Sequence, residues 1–126
     1  MKSAMDLVMA AKAKIKEVGV AEAAAAISDA EVLIDVREPD EYRAGHLQGA
    51  INIPRGLLEF KMGGDPSLEK RDRKIVIYCK TSGRAALAAA SLQEMGYINI
   101  TSIAGGFDGW VAEGKPVTER AMPEFG

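Results

Sequence analysis

Among its 126 residues the chain has one cysteine, one histidine and one tryptophan. A single thiol excludes an intrachain disulfide, and no zinc site of the usual Cys-rich spacing can be written, so the fold is expected to rest on its own core. A dominant charge is lacking too. Sixteen Lys and Arg stand against 18 Asp and Glu, a net charge of −2, which supplies no long-range attraction to phosphate backbones and makes nucleic acid a poor partner. Anion binding must therefore be local. No apolar run is long enough to span a membrane. The run Leu7 to Ala11 follows Asp6 and is cut short by Lys12, Lys14 and Lys16, so it reads as a helix rather than a leader, and the cytoplasm is the expected compartment.

What is present is an ordinary globular composition, 48% apolar and 27% charged, in a length that suits one domain able to bury roughly two-thirds of its unfolded surface. From Met5 to Val18, Leu7, Ala11, Ile15 and Val18 recur at helical spacing, which predicts an amphipathic N-terminal helix ended by Gly19. Val20 to Ile27 is alanine-rich and favours helix, and Ser28-Asp29 supplies turn chemistry. The short apolar runs Val32 to Val36 and Ile75 to Tyr78 read as strands buried on both faces, the mark of a parallel sheet. Ala85, Ala88, Ala89, Leu92 and Met95 follow the helical period, with Gly96 where a left-handed cap belongs. Ile98 to Ile103 resumes a strand, and Phe107 to Glu113 makes a last short helix. Phe60 to Arg73, with Gly63-Gly64, Pro66 and many charges, reads as a surface loop. The expected fold class is α/β, a central mostly parallel sheet flanked by helices. The expected division is a helical extension over 1–18, one domain over 19–117 and a tail over 118–126.

The informative segment is Tyr78-Cys79-Lys80-Thr81-Ser82-Gly83-Arg84, which sets a thiol at the C-terminal end of a buried strand just before a helix. In open α/β sheets, ligands bind there. A cysteine at the end of an apolar strand is most often inert, and Gly83 and Arg84 taken singly are a turn glycine and a surface charge. Together they let the backbone curl so that several N–H groups converge on the sulfur. Convergence matters because the thiolate is the nucleophile, and a free thiol is only roughly 3% ionised at neutral pH. A helix N-terminus contributes up to ~2 kcal/mol, and the turn amides with Lys80 and Arg84 are expected to supply the rest. Such a cradle suits an extra sulfur or an oxyanion.

These residues and two further segments resemble the rhodanese family of sulfurtransferases over roughly Val18 to Val117. The stretch from Asp35 to Pro54, including Asp35-Val36-Arg37-Glu38-Pro39 and Glu41-Tyr42-Arg43-Ala44-Gly45-His46, is similar to the family's upstream signature, and Gly105-Gly106-Phe107-Asp108-Gly109-Trp110 to its downstream one. The resemblance implies a parallel sheet wrapped by helices, with Cys79 as catalytic nucleophile in a six-residue loop, Lys80, Thr81, Ser82, Gly83 and Arg84 binding the substrate and persulfide. Many active members carry Gly at the third position after the cysteine. Here Ser82 stands there and Gly83 follows, so a differently curled loop is expected.

The resemblance further implies sulfur moving from a small anionic donor such as thiosulfate, through a Cys79 persulfide, to cyanide or an external thiol, with no cofactor and no metal. Monomer and homodimer both stay open. The alternatives are a non-catalytic interaction module on the same fold, or a cysteine phosphatase or arsenate reductase. The cysteine phosphatases resemble one another in having five residues between Cys and Arg, whereas four separate Cys79 from Arg84. Asp35 and Arg37 are expected to pair internally, His46 to be hydrogen-bonded and structural, Phe107 and Trp110 to be core, and Gly105 and Gly106 to line the mouth of the site.

Overall fold

The structure, a computed structural model, describes residues 1–119. Five strands form one sheet in the order β1-β5-β4-β2-β3, every neighbouring pair parallel. They are β1 (Lys16–Val18), β2 (Val32–Asp35), β3 (Ile51–Asn52), β4 (Ile75–Tyr78) and β5 (Ile100–Ile103). The helices are α1 (Ala4–Lys12), α2 (Val20–Asp29), α3 (Pro39–Ala44), α4 (Leu58–Gly64), α5 (Gly83–Glu94) and α6 (Gly106–Ala112), with a 3-10 turn over Arg55–Leu57. The expected α/β class with a parallel sheet is what is found. No helix among the described residues is long and apolar enough to cross a membrane.

Strand β4 shows why the sheet needs helices on both sides. Its side chains alternate, so Ile75, Ile77 and then Cys79 enter a core closed by Leu58 and Met62 of α4 and by Ala85, Ala88, Ala89 and Leu92 of α5. Val76 and Tyr78 enter the opposite core with Ala23 of α2 and Trp110 of α6. The alanines of α5 bring that helix close to the strands. Its C-terminus closes as the sequence predicts: Gly96 has φ +97°, Gly96 N–H donates to Gln93 O at 2.9 Å and Tyr97 N–H to Leu92 O at 3.0 Å, a Schellman cap that uses two orphan carbonyls.

Two expectations need correction. The helical pattern from Met5 to Val18 breaks after Lys12, and Lys16–Val18 instead pairs with Thr101 to Ile103. An open edge of β5 offers backbone partners that a helix end cannot, and a three-residue strand carries too little periodicity to announce itself. The inward face of α1 is also Val8 and Ala11 rather than Leu7, which is 49% exposed. The expected loop from Phe60 begins instead inside α4, where Leu58 and Met62, four apart, are both buried. Leu68 is buried as well, and the Tyr97 hydroxyl stands 3.1 Å from Met62 O and 2.8 Å from Leu68 O, fastening this glycine-rich stretch. Of the expected tail, Thr118 pairs its backbone with His46, and 120–126 lie outside the described residues.

Candidate active site

Strand β4 is central, with β2 on one side and β5 on the other. The chain leaves β2 toward one edge and β4 toward the other, so a crevice opens where their C-terminal ends part. Cys79 stands there, 1% exposed.

Its sulfur performs a task usually left to the residue just before a helix. Ser82, at the N-cap of α5, makes no side-chain cap bond, and the amide it would have satisfied, that of Ala85, donates to Cys79 Sγ at 3.3 Å. The sulfur is the acceptor that caps α5. The amides of residues 80 to 84 donate to no acceptor among the described residues.

The orientation of those amides is imposed from behind. Phe107 N–H donates to Cys79 O at 2.8 Å and Asp108 N–H to Lys80 O at 3.0 Å, using donors that the first turn of α6 cannot satisfy within the helix. A Cβ added at Gly106 would meet Cys79 O at 2.4 Å, Thr81 O at 2.6 Å and Lys80 O at 2.8 Å. Three successive carbonyls thus crowd against Gly106. In a trans peptide the N–H points opposite to the C=O, so the amides of Lys80, Thr81 and Ser82 face away from α6. Gly106, at φ +51°, meets both demands, close approach and a left-handed backbone.

The two loop cations are each matched. Arg84 Nη1 and Nη2 donate to Glu41 Oε1 and Oε2 at 2.8 and 3.1 Å, and those bonds raise the Arg84 pKa and hold Glu41 at about 2. Lys80 Nζ donates to Asp108 Oδ2 at 2.7 Å. Glu41 on α3 and Asp108 on α6 are partners that local sequence pattern does not reveal.

Asp35 and Arg37 form the expected internal pair. Arg37 Nε donates to both Asp35 oxygens at 3.0 and 3.1 Å and Nη2 to Oδ2 at 2.8 Å, while Nη2 also donates to Gly45 O at 2.6 Å. Burial alone would lower the Arg37 pKa; the hydrogen bonds and charge of Asp35 outweigh it. Tyr78 donates its hydroxyl to Asp35 Oδ2 at 2.7 Å and accepts from Leu47 N–H at 3.0 Å. Burial first, then the Asp35 charge, pushes its pKa well up. Phe107 lies 4.2 Å from the Arg37 guanidinium carbon, a cation–π contact, and Trp110 is core. His46 has Nδ1 2.9 Å from Tyr42 O, its ring stacks on Tyr42 at 3.8 Å, and none of these contacts is with the Cys79 loop. A cleft of about 260 Å³ beside the loop is lined by Arg37, Glu41, Gly45, Lys80, Phe107 and Asp108.

A parallel α/β sheet with a buried thiol at the end of its central strand, in a loop that opens a helix, defines the class of domain. The chain belongs to the family described as Rhodanese-like domain, whose profile matches residues 19–113. Among its relatives, a sulfurtransferase of Allochromatium vinosum is 33% identical over 86 residues, 68% of this chain and 77% of that one. The thiosulfate sulfurtransferase PspE of Escherichia coli is 37% identical over 76 residues, 60% of this chain and 71% of that one. A protein of unknown function from Rhodopseudomonas palustris, described as a possible tyrosine phosphatase, superposes with a TM-score of 0.81 at 30% identity, covering 94% of this chain and 96% of the other.

Proposed function

We propose that the chain is a sulfurtransferase in which Cys79 carries the sulfur, with Lys80, Thr81, Ser82, Gly83 and Arg84 forming the loop that binds the donor and the persulfide. The observation that carries this reading is the set of amides from residues 80 to 84, left without acceptors in the loop that follows a sulfur already accepting from Ala85. The relatives named as sulfurtransferases support it.

In the first step the Cys79 thiolate attacks the outer sulfur of a donor such as thiosulfate. The donor S–S bond breaks, sulfite leaves with the electron pair, and Cys79 holds a persulfide anion. The loop amides stabilise that anion as it forms. In the second step cyanide or an external thiolate attacks the outer sulfur and Cys79 leaves as thiolate. With no second cysteine in the sequence, the acceptor comes from another molecule. Because Lys80 and Arg84 are already matched by Asp108 and Glu41, the amides rather than the cations do most of the anion binding in the resting protein. The cytoplasm suits a mechanism that depends on a reduced thiol.

The direct test is intact mass after incubation with thiosulfate. A gain of one sulfur, about 32 Da, lost on adding cyanide and absent in Cys79→Ser, supports the reading. Retained transfer by Cys79→Ser, or no gain from thiosulfate or any persulfide donor, overturns it. The R. palustris description favours one second reading, phosphoryl transfer. Hydrolysis of an aryl phosphate that depends on Cys79 is its readout, and the four-residue spacing from Cys79 to Arg84 weighs against it.

A further inference from the structure

The helix that precedes the matched region stands directly against the catalytic loop. Helix α1 begins at a capping box, Asp6 N–H donating to Ser3 Oγ at 3.1 Å and Ser3 N–H to Asp6 Oδ2 at 2.9 Å, and buries Val8 and Ala11 against Ala86 of α5. Near its far end Gln93 Nε2 donates to Lys14 O at 3.2 Å. Val8 is thus beside the start of α5 and Lys14 beside its end, so the two helices run side by side in one direction. A methyl added at Gly83 would stand 3.5 Å from Val8 Cγ2, an ordinary contact distance. Val8 roofs the first residue of α5.

Arg84 and Ala85 in that turn are held by Glu41 and by the core, but the turn's first residue, Gly83, has no side chain to anchor it. Ser82 makes no side-chain cap, and Gly83 is the residue with the most backbone freedom to lose. Yet the turn supplies the Ala85 amide on Cys79 Sγ and the unpaired amides of Gly83 and Arg84. A hydrogen bond to a thiolate depends on the donor staying in line, so whatever fixes the turn sets how well the anion is held.

We propose that α1 is a positioning element of the Cys79 site, acting through Val8 on Gly83. This rests on Cys79 being the nucleophile, but its own failure reads differently from the failure of that assignment.

The test measures the rate of Cys79 alkylation by iodoacetamide against pH in the full chain, at a temperature where circular dichroism shows each variant folded. Val8→Ala is expected to slow alkylation at pH 7 by about tenfold, the scale of weakening one hydrogen bond to a charged acceptor, and to move the pH–rate profile to higher pH. Val8→Ile restores both. Val8→Met leaves no cavity but gives up the branched methyl over Gly83; it slows the reaction in the same direction and stands in if Val8→Ala does not fold. Ala10→Gly weakens the helix at an exposed position and leaves the profile unchanged. A merely structural role has the opposite sign, because loosening the fold exposes a buried thiol and speeds alkylation. Faster or unchanged reaction in Val8→Ala and Val8→Met overturns the proposal. A wild-type thiol inert to iodoacetamide and to every sulfur donor removes the nucleophile itself, and the proposal with it.

Discussion

Arg84, the last residue of the Cys79 loop, is bound through both terminal nitrogens to Glu41 of α3, at 2.8 and 3.1 Å. The pair ties the loop to the opposite wall of the crevice. It also makes stability depend on acid. Glu41 titrates at about 2 in the fold against an ordinary 4.5, so the folded chain binds fewer protons there, and the contribution is complete above about pH 4.5 and lost as pH falls toward 2. With both side chains about a third exposed, it is worth about 1 kcal/mol or less. Urea unfolding at pH 7 should find Glu41→Gln less stable than wild type, with the gap closing toward pH 2. A gap independent of pH would show that the carboxylate charge is not its source.

The Lys80–Asp108 pair, at 2.7 Å, holds a loop cation that the proposed sulfur transfer would use on an anionic donor. Asp108→Asn releases Lys80 beside the loop, and steady-state rates at low ionic strength should show kcat/KM for thiosulfate rising several-fold, the gain shrinking as salt is added. A fall, or a gain indifferent to salt, would mean that the pair orders the loop rather than tuning its charge.

Two glycines with positive φ separate crowding from strain. At Gly106 a Cβ would stand 2.4 Å from a backbone carbonyl oxygen, whereas at Gly49, φ +86°, it would meet nothing within 4 Å. Gly49→Ala should cost about 1–2 kcal/mol by melting, the price of a left-handed alanine, and spare sulfur uptake. Gly106→Ala must push the carbonyls of residues 79 to 81, so uptake by Cys79 should fall even where the variant remains folded.

The Asp35–Arg37–Tyr78 network is buried, with Asp35 and Tyr78 fully enclosed. Asp35→Ala leaves a buried guanidinium unpaired and should cost about 3–5 kcal/mol. Tyr78→Phe strands only the Leu47 amide, because Asp35 Oδ2 keeps Arg37 Nε and Nη2, and should cost about 1–3 kcal/mol. Chemical denaturation ranks the two, and equal losses would remove the charge argument.

Much of this was legible locally. Ile75 to Tyr78 announces a strand buried on both faces, the alanine period and Gly96 announce α5 and its cap, and strand-Cys79-Gly83-Arg84 marks the candidate site. Helix α4 was hidden because its glycines and charges resemble a loop's, and Leu58 and Met62 are too few to show a period. Strand β1 was hidden because three residues continue a helical pattern by chance.

Residue order alone therefore settled the α/β class, the lone thiol at a strand end and the family. Folding settled which carboxylate answers which cation: Glu41 is 43 residues from Arg84 and Asp108 is 28 from Lys80. It also turned the loop carbonyls onto Gly106 and set Val8 over Gly83. Periodicity and turn chemistry act over a few residues and can be read along the chain. An ion pair, a carbonyl contact or a packed methyl depends on distances that exist only once the sheet has brought remote segments together.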